Sequence, residues 1–147
     1  MSRMGTLVCY PMVVKYVLHI YLVHTLIATY QWENPYTKVD IVRVLSATDT
    51  DPDLFDVLSR IEAVLQKKEY KYVNLSLGPR LAIDDDDVHV WTSVIDRLLQ
   101  DGHCFATVAI GNDGELDGEF ARIQPPSDMV NCFAVGASDS TEKHGKT

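Results

Sequence analysis

From residue 39 onward, apolar and polar positions recur with regular periods. Val39-Asp40-Ile41-Val42-Arg43-Val44-Leu45 alternates before ending apolar, which predicts a strand over 39–45. Asp51, Pro52 and Asp53 then mark a helix start. Leu54, Leu58, Ile61 and Leu65 recur at helical spacing and place one apolar face on a helix over 52–67. Lys67 and Lys68 fall in its last turn, where cations complement the negative helix end. A second strand is predicted over 72–77, stopped by Gly78-Pro79. Trp91, Ile95 and Leu98 share one side of a helix over 88–100, closed by Asp101-Gly102. The near-continuous apolar run at 104–110 suits a central strand and ends at the turn Gly111-Asn112-Asp113-Gly114. A polar loop with Pro125-Pro126 leads to a fourth strand over 130–135.

Strand, helix, strand, helix, strand implies parallel pairing with right-handed crossovers. The expected fold class is α/β, a doubly wound and mainly parallel sheet. In such sheets function gathers in the loops at the carboxyl ends of the strands. The loops after Leu77 and after Ile110 are therefore the places to look. The pattern marks only two helices. A doubly wound sheet buries its central strands between two helical layers.

Residues 1–30 stand apart as an atypical apolar N-terminal segment. Its run from Pro11 to Tyr30 has Lys15 as its one formal charge, with His19 and His24 the other strongly polar groups. Its length approaches what a membrane helix needs. Its Lys and His are costly at bilayer depth, and its β-branched and aromatic residues suit a buried strand equally well. Buried core, a membrane or signal segment reaching over 12–30, and a stretch foreign to the fold all stay open.

Composition narrows the function classes. Thirteen basic against twenty-one acidic residues give a net charge of −8 over 147 residues. That argues against nucleic-acid binding, which needs a basic face to displace counterions. Cys9, Cys104 and Cys132 form no C-x-x-C and cannot all pair within one chain. Reduced thiols are expected, which favours a cytoplasmic setting. A zinc site from Cys104, Cys132 and His103 lacks ligand spacing.

Three segments carry a family likeness: Val73-Asn74-Leu75-Ser76-Leu77-Gly78, then Thr107-Val108-Ala109-Ile110-Gly111-Asn112-Asp113-Gly114, and Phe133-Ala134-Val135-Gly136-Ala137. In order and spacing they resemble the subtilisin-like serine peptidases, across roughly residues 38–140. The resemblance makes residues 31–147 a partial catalytic domain and implies peptide-bond hydrolysis by acyl transfer. It assigns Asn112 to the oxyanion hole, where a fixed amide donor meets the charge on the scissile carbonyl. It makes Ser76, Leu77 and Gly78 the edge that an extended peptide joins as an added strand. Gly111 then lets a substrate backbone approach. An ordinary tight turn and an ordinary strand end account for the same residues without the resemblance. The implied partner is a peptide or protein substrate. No cofactor is expected beyond calcium, which the family often binds. The run Asp84 to Asp87 is the calcium candidate, a solvated helix start being the other reading.

The chain also departs from that family. None of its serines follows Gly-Thr, the setting of the family's nucleophile. The nearest match to the histidine motif is Met4-Gly5-Thr6, with Met where the family has His. No strand carrying the family's Asp precedes it. His19, His24, His89, His103 and His144 all lack a following Gly-Thr and read as loop or core residues. The chain is thus expected to be the middle of such a domain, incomplete at both ends and inactive alone. The resemblance implies a further buried helix packed on the sheet, so its absence is expected to leave apolar area bare on strands 72–77 and 104–110. The rival reading is a non-catalytic α/β module that binds a peptide or partner, anchored to a membrane if residues 12–30 span one.

Overall fold

The alternating segment at 39–45 and the apolar runs at 72–77 and 104–110 become strands of one sheet, joined by a strand that the periodicity did not mark. A computed structural model of the chain describes residues 5–10, 38–44 and 54–137. Its strands are β1 (Gly5–Tyr10), β2 (Lys38–Arg43), β3 (Tyr72–Leu75), β4 (Phe105–Ala109) and β5 (Phe133–Val135). Helix α1 spans Leu54–Leu65 and α2 spans Val90–Leu99. A 3₁₀ turn covers Gly118–Ala121. The sheet order is β2-β1-β3-β4-β5, and every neighbouring pair is parallel. The fold is therefore a mixed α/β fold on a parallel sheet.

Strand β1 lies inside the sheet, paired with β2 on one side and β3 on the other. Gly5 and Thr6 also open the strand. In a parallel sheet that puts them at the amino end, opposite the loops that follow Leu77 and Ile110. Six residues of strand rise about 20 Å. The Gly-Thr pair of residues 5–6 therefore cannot stand for a histidine motif beside Asn112. The run at 12–30 and the proposed cap at Asp51 and Pro52 lie outside the described residues. Among the described residues, no helix is long and apolar enough to cross a membrane.

Both helices bury the same kind of stripe. In α1 it is Val57, Leu58, Ile61 and Leu65; in α2 it is Trp91, Thr92, Ile95 and Leu99. Each set repeats the offsets 0, 1, 4 and 8, a single face of a 3.6-residue helix. Leu54, expected in the stripe, is 40% exposed at the first turn, and Leu98 only flanks the core. The two stripes meet Val73 and Leu75 of β3 and Ala106 and Val108 of β4 in one cluster. Since alternate strand residues share a face, both helices lie on the same side of the sheet. One hand of crossover requires this, because β2→β3 and β3→β4 advance in the same direction.

The other face carries Ile41, Tyr72, Phe105, Phe133 and Val135, all exposed. Tyr72 and Phe105 have ring centroids 6.0 Å apart, and Phe105 and Phe133 stack at 4.6 Å. The bare area expected on the second and third predicted strands is thus present at Tyr72 and Phe105. Among the described residues the helices form one layer.

At the amino end of the sheet, the two helix exits are tied together. Asp101 accepts from the Lys68 ammonium and contacts the His103 imidazole, and its carboxylate also accepts the His103 backbone N–H at 3.2 Å. Lys68 holds a left-handed φ of 53° just past α1, and Gly102 closes α2 at φ 67°. The Lys68 contact, reinforced by His103, holds the Asp101 carboxyl well below its ordinary value of 3.8. A lowered folded pKa gives stability that is complete above the ordinary value and is lost as pH falls through the folded one. Asp101→Asn should therefore flatten the acid limb of the stability profile below about pH 4. Urea midpoints measured from pH 6 downward check this. Parallel acid limbs in variant and wild type would contradict it.

Candidate functional site

The carboxyl ends of β3 and β4 are neighbours, with Leu75 in register with Val108. Ser76, Leu77 and Gly78 continue directly from Leu75, one to three residues past the last paired position. Gly111 and Asn112 follow two and three residues after Ala109, the end of β4. The sheet therefore brings the two expected loops side by side.

Arg80 and Asp113 lock those loops together. The guanidinium Nε donates to Asp113 Oδ2 and Nη2 donates to Oδ1, both at 3.0 Å. This is the bidentate geometry in which arginine holds a carboxylate most firmly. Gln124 Nε2 donates to the same Oδ2 at 2.7 Å, and the Gln124 N–H reaches the Ile110 carbonyl at 2.9 Å. The Asp113 side chain is only 15% exposed. Its pairing with Arg80 outweighs the cost of burial and keeps its carboxyl below the ordinary value.

Asn112 sits beside this anchor. It is exposed, and its side-chain amide makes no hydrogen bond to the described residues. Its neighbours are fixed while its amide stays open to a ligand. That arrangement suits a donor for a developing oxyanion, because the donor needs no rearrangement when the charge appears.

The two glycines have reasons within the chain itself. A Cβ on Gly78 would overlap the Pro125 carbonyl oxygen. Gly111 has φ +104°, and a Cβ there would come 2.6 Å from the Gln124 side chain. What approaches Gly111 is therefore Gln124 of its own loop. The segment from Gln124 to Pro126, whose Pro125-Pro126 bond is cis, is a floor on which both site loops rest.

Ser76 has a structural partner too. Its Oγ accepts from Asn74 Nδ2 at 2.8 Å, and Asn74 Oδ1 accepts from Thr107 Oγ1 at 2.9 Å. This short chain of bonds ties the end of β3 to β4. Leu77 is half-buried and packs against the core.

Other candidates fall elsewhere. His89 caps α2, its Nδ1 accepting the Trp91 N–H at 3.2 Å. Asp84 Oδ1 accepts the Asp86 N–H at 3.0 Å, and Asp85 pairs with Arg122. That places the acidic run in a turn leading to α2. No group of three or more metal-binding side chains forms among the described residues. Burial pushes the Cys104 thiol up to about 11 and raises the Cys132 thiol as well, both against metal ligation. His19, His24 and His144 lie outside the described residues.

Arg80 and Gln124 were not marked by sequence reasoning, and Asp113 was read only as a member of the turn at 111–114. The Arg80–Asp113 pair spans 33 positions, and nothing local to either residue announces the other. Compared with known proteins, the chain matches no protein-family model and no curated protein.

Gly111→Ala tests the loop geometry. It forces a side chain into a positive φ and against Gln124, so it should cost about 1–3 kcal/mol. Chemical denaturation measures the loss. An unchanged midpoint would show that the loop has another conformation in solution.

Proposed function

We propose that the chain is the peptide-binding part of a subtilisin-like serine endopeptidase domain, a partial one whose full form is doubly wound. In this reading a substrate lies extended along residues 76–78, adding a strand at the carboxyl end of β3. Its scissile carbonyl then points to the Asn112 amide, which donates to the oxyanion as the carbonyl carbon becomes tetrahedral. The observation that carries the reading is the bidentate Arg80–Asp113 pair. It fastens the loop after β3 to the loop after β4 and leaves Asn112 exposed between fixed neighbours.

Acyl transfer also needs a nucleophile and a base. These 147 residues contain no serine in a Gly-Thr-Ser setting. His89 and His103 are engaged at α2 and at the amino end of the sheet. In this reading, with no serine in that setting, the chain by itself holds a peptide without cleaving it. The same absence favours the second reading, a non-catalytic module that uses this cleft for interaction alone. The two readings part at Asn112. An oxyanion donor matters to a reacting carbonyl and little to a resting peptide.

A fluorophosphonate serine probe should leave the purified chain unlabelled, and no peptide turnover above background should appear. Extended peptides should bind to wild type and to Asn112→Ala with affinities within about twofold, since ground-state contact with that amide is minor. Stoichiometric labelling of any serine would overturn the absence of a nucleophile. A large loss of affinity in Asn112→Ala would assign that side chain to binding and support the interaction module.

A further inference from the structure

Past Gly78 the chain forms a second recess, apart from the Asn112 turn. It is a cavity of about 280 Å³ between the segment that leads to α2 and the loop bearing the cis bond. Leu81, Val88 and Pro125 give it apolar walls, and Asp84, Asp87 and Asp128 give it carboxylates. No lysine or arginine lines it among the described residues. The neighbouring cations are committed, Arg80 to Asp113 and Arg122 to Asp85. His89 also lines the cavity, but its Nδ1 accepts the Trp91 N–H, which fixes a neutral ring. Leu81 and Val88 are exposed, so apolar surface and negative charge share one opening.

The chain itself holds these walls in place. The Ile83 N–H donates to the Ile123 carbonyl at 3.0 Å, and Asp128 Oδ1 accepts from the Thr92 hydroxyl at 2.6 Å. Pro125 is buried, and its carbonyl oxygen occupies the space that a side chain at position 78 would need. One residue thus backs both the 76–78 edge and the cavity. Leu81 is three residues past Gly78, which keeps it within about 10 Å of that edge.

We infer that the cavity takes the side chain of a lysine or arginine belonging to the peptide that lies along residues 76–78, an inference that rests on the reading proposed above. Such side chains bury an apolar stem and keep a charged head among polar groups. Leu81, Val88 and Pro125 suit the stem, and carboxylates converging from two segments suit the head. A neutral apolar side chain would strip water from those carboxylates without replacing it. An acidic one would meet like charge. The cavity therefore selects by sign as well as by shape.

Fluorescence anisotropy with labelled, extended Ala/Ser peptides tests this, a single lysine being moved through successive positions. At one position lysine or arginine should bind about tenfold more tightly than norleucine, and glutamate more weakly than either. Asp87→Asn combined with Asp128→Asn should erase that preference and leave the norleucine peptide within about twofold of its wild-type affinity. The amide of Asn at 128 still accepts from Thr92, and Asp87→Asn alone carries the test if the pair does not fold. n-Butylamine, which has no peptide backbone, should shift the Ile83 and Val88 amide resonances of the wild type and spare those of the variant. Equal affinity for lysine and norleucine peptides at every position would overturn the inference and leave the cleft standing. A preference that a folded variant retains would overturn it as well. Peptides that fail to bind while n-butylamine still shifts those amides would overturn the cleft and support the cavity's choice of a cation. Failure of both ligands would overturn both.

Discussion

In β3 and β4, Val73 lies opposite Ala106 and Leu75 opposite Val108, and that register decides what every neighbouring element does. It turns those four side chains toward α1 and α2, whose stripes close over them in one cluster. It turns Tyr72, Phe105 and Thr107 to the other face. It also ends both strands at nearly the same level, so the loops that leave them meet. A shift of one residue in either strand would exchange core for surface along its whole length.

The loops that meet there are held by charge as well as by packing. Arg80 and Asp113 close the gap between them with two parallel bonds, and Gln124 completes the carboxylate's shell. Pro125 and Gln124 fill the space that side chains at positions 78 and 111 would need. The glycines are thus required by the chain's own architecture before any ligand is considered. Asn112 is the member of the cluster that this architecture leaves open.

Much of this was legible in the residues, and the rest was hidden for physical reasons. Spacing placed α1 and α2 because a helix facing a sheet must repeat its apolar positions. The stripes kept Leu58, Ile61 and Leu65 in α1 and Trp91 and Ile95 in α2, but Val57 replaced Leu54 and Thr92 and Leu99 replaced Leu98, since burial follows the plane of contact. Gly5 and Pro11 bracket β1, but apolar residues continue beyond Pro11, so no polar boundary marks the strand. The Asn112 turn was readable through its glycines. Its anchor was not, because an ion pair between residues 33 apart leaves no local pattern. The aromatic row was visible only once parallel pairing brought Tyr72, Phe105 and Phe133 onto one face.

In the proposed function the carboxyl ends of β3 and β4 form one peptide-binding cleft. Residue-resolved amide shifts of the isotope-labelled chain, recorded while an extended peptide is added, locate it. Perturbations are expected to centre on residues 76–78 and 111–113, with the amino end of the sheet around Asp101 and His103 unmoved. Perturbations confined to the amino end, or to the open face at Tyr72 and Phe105, would contradict it.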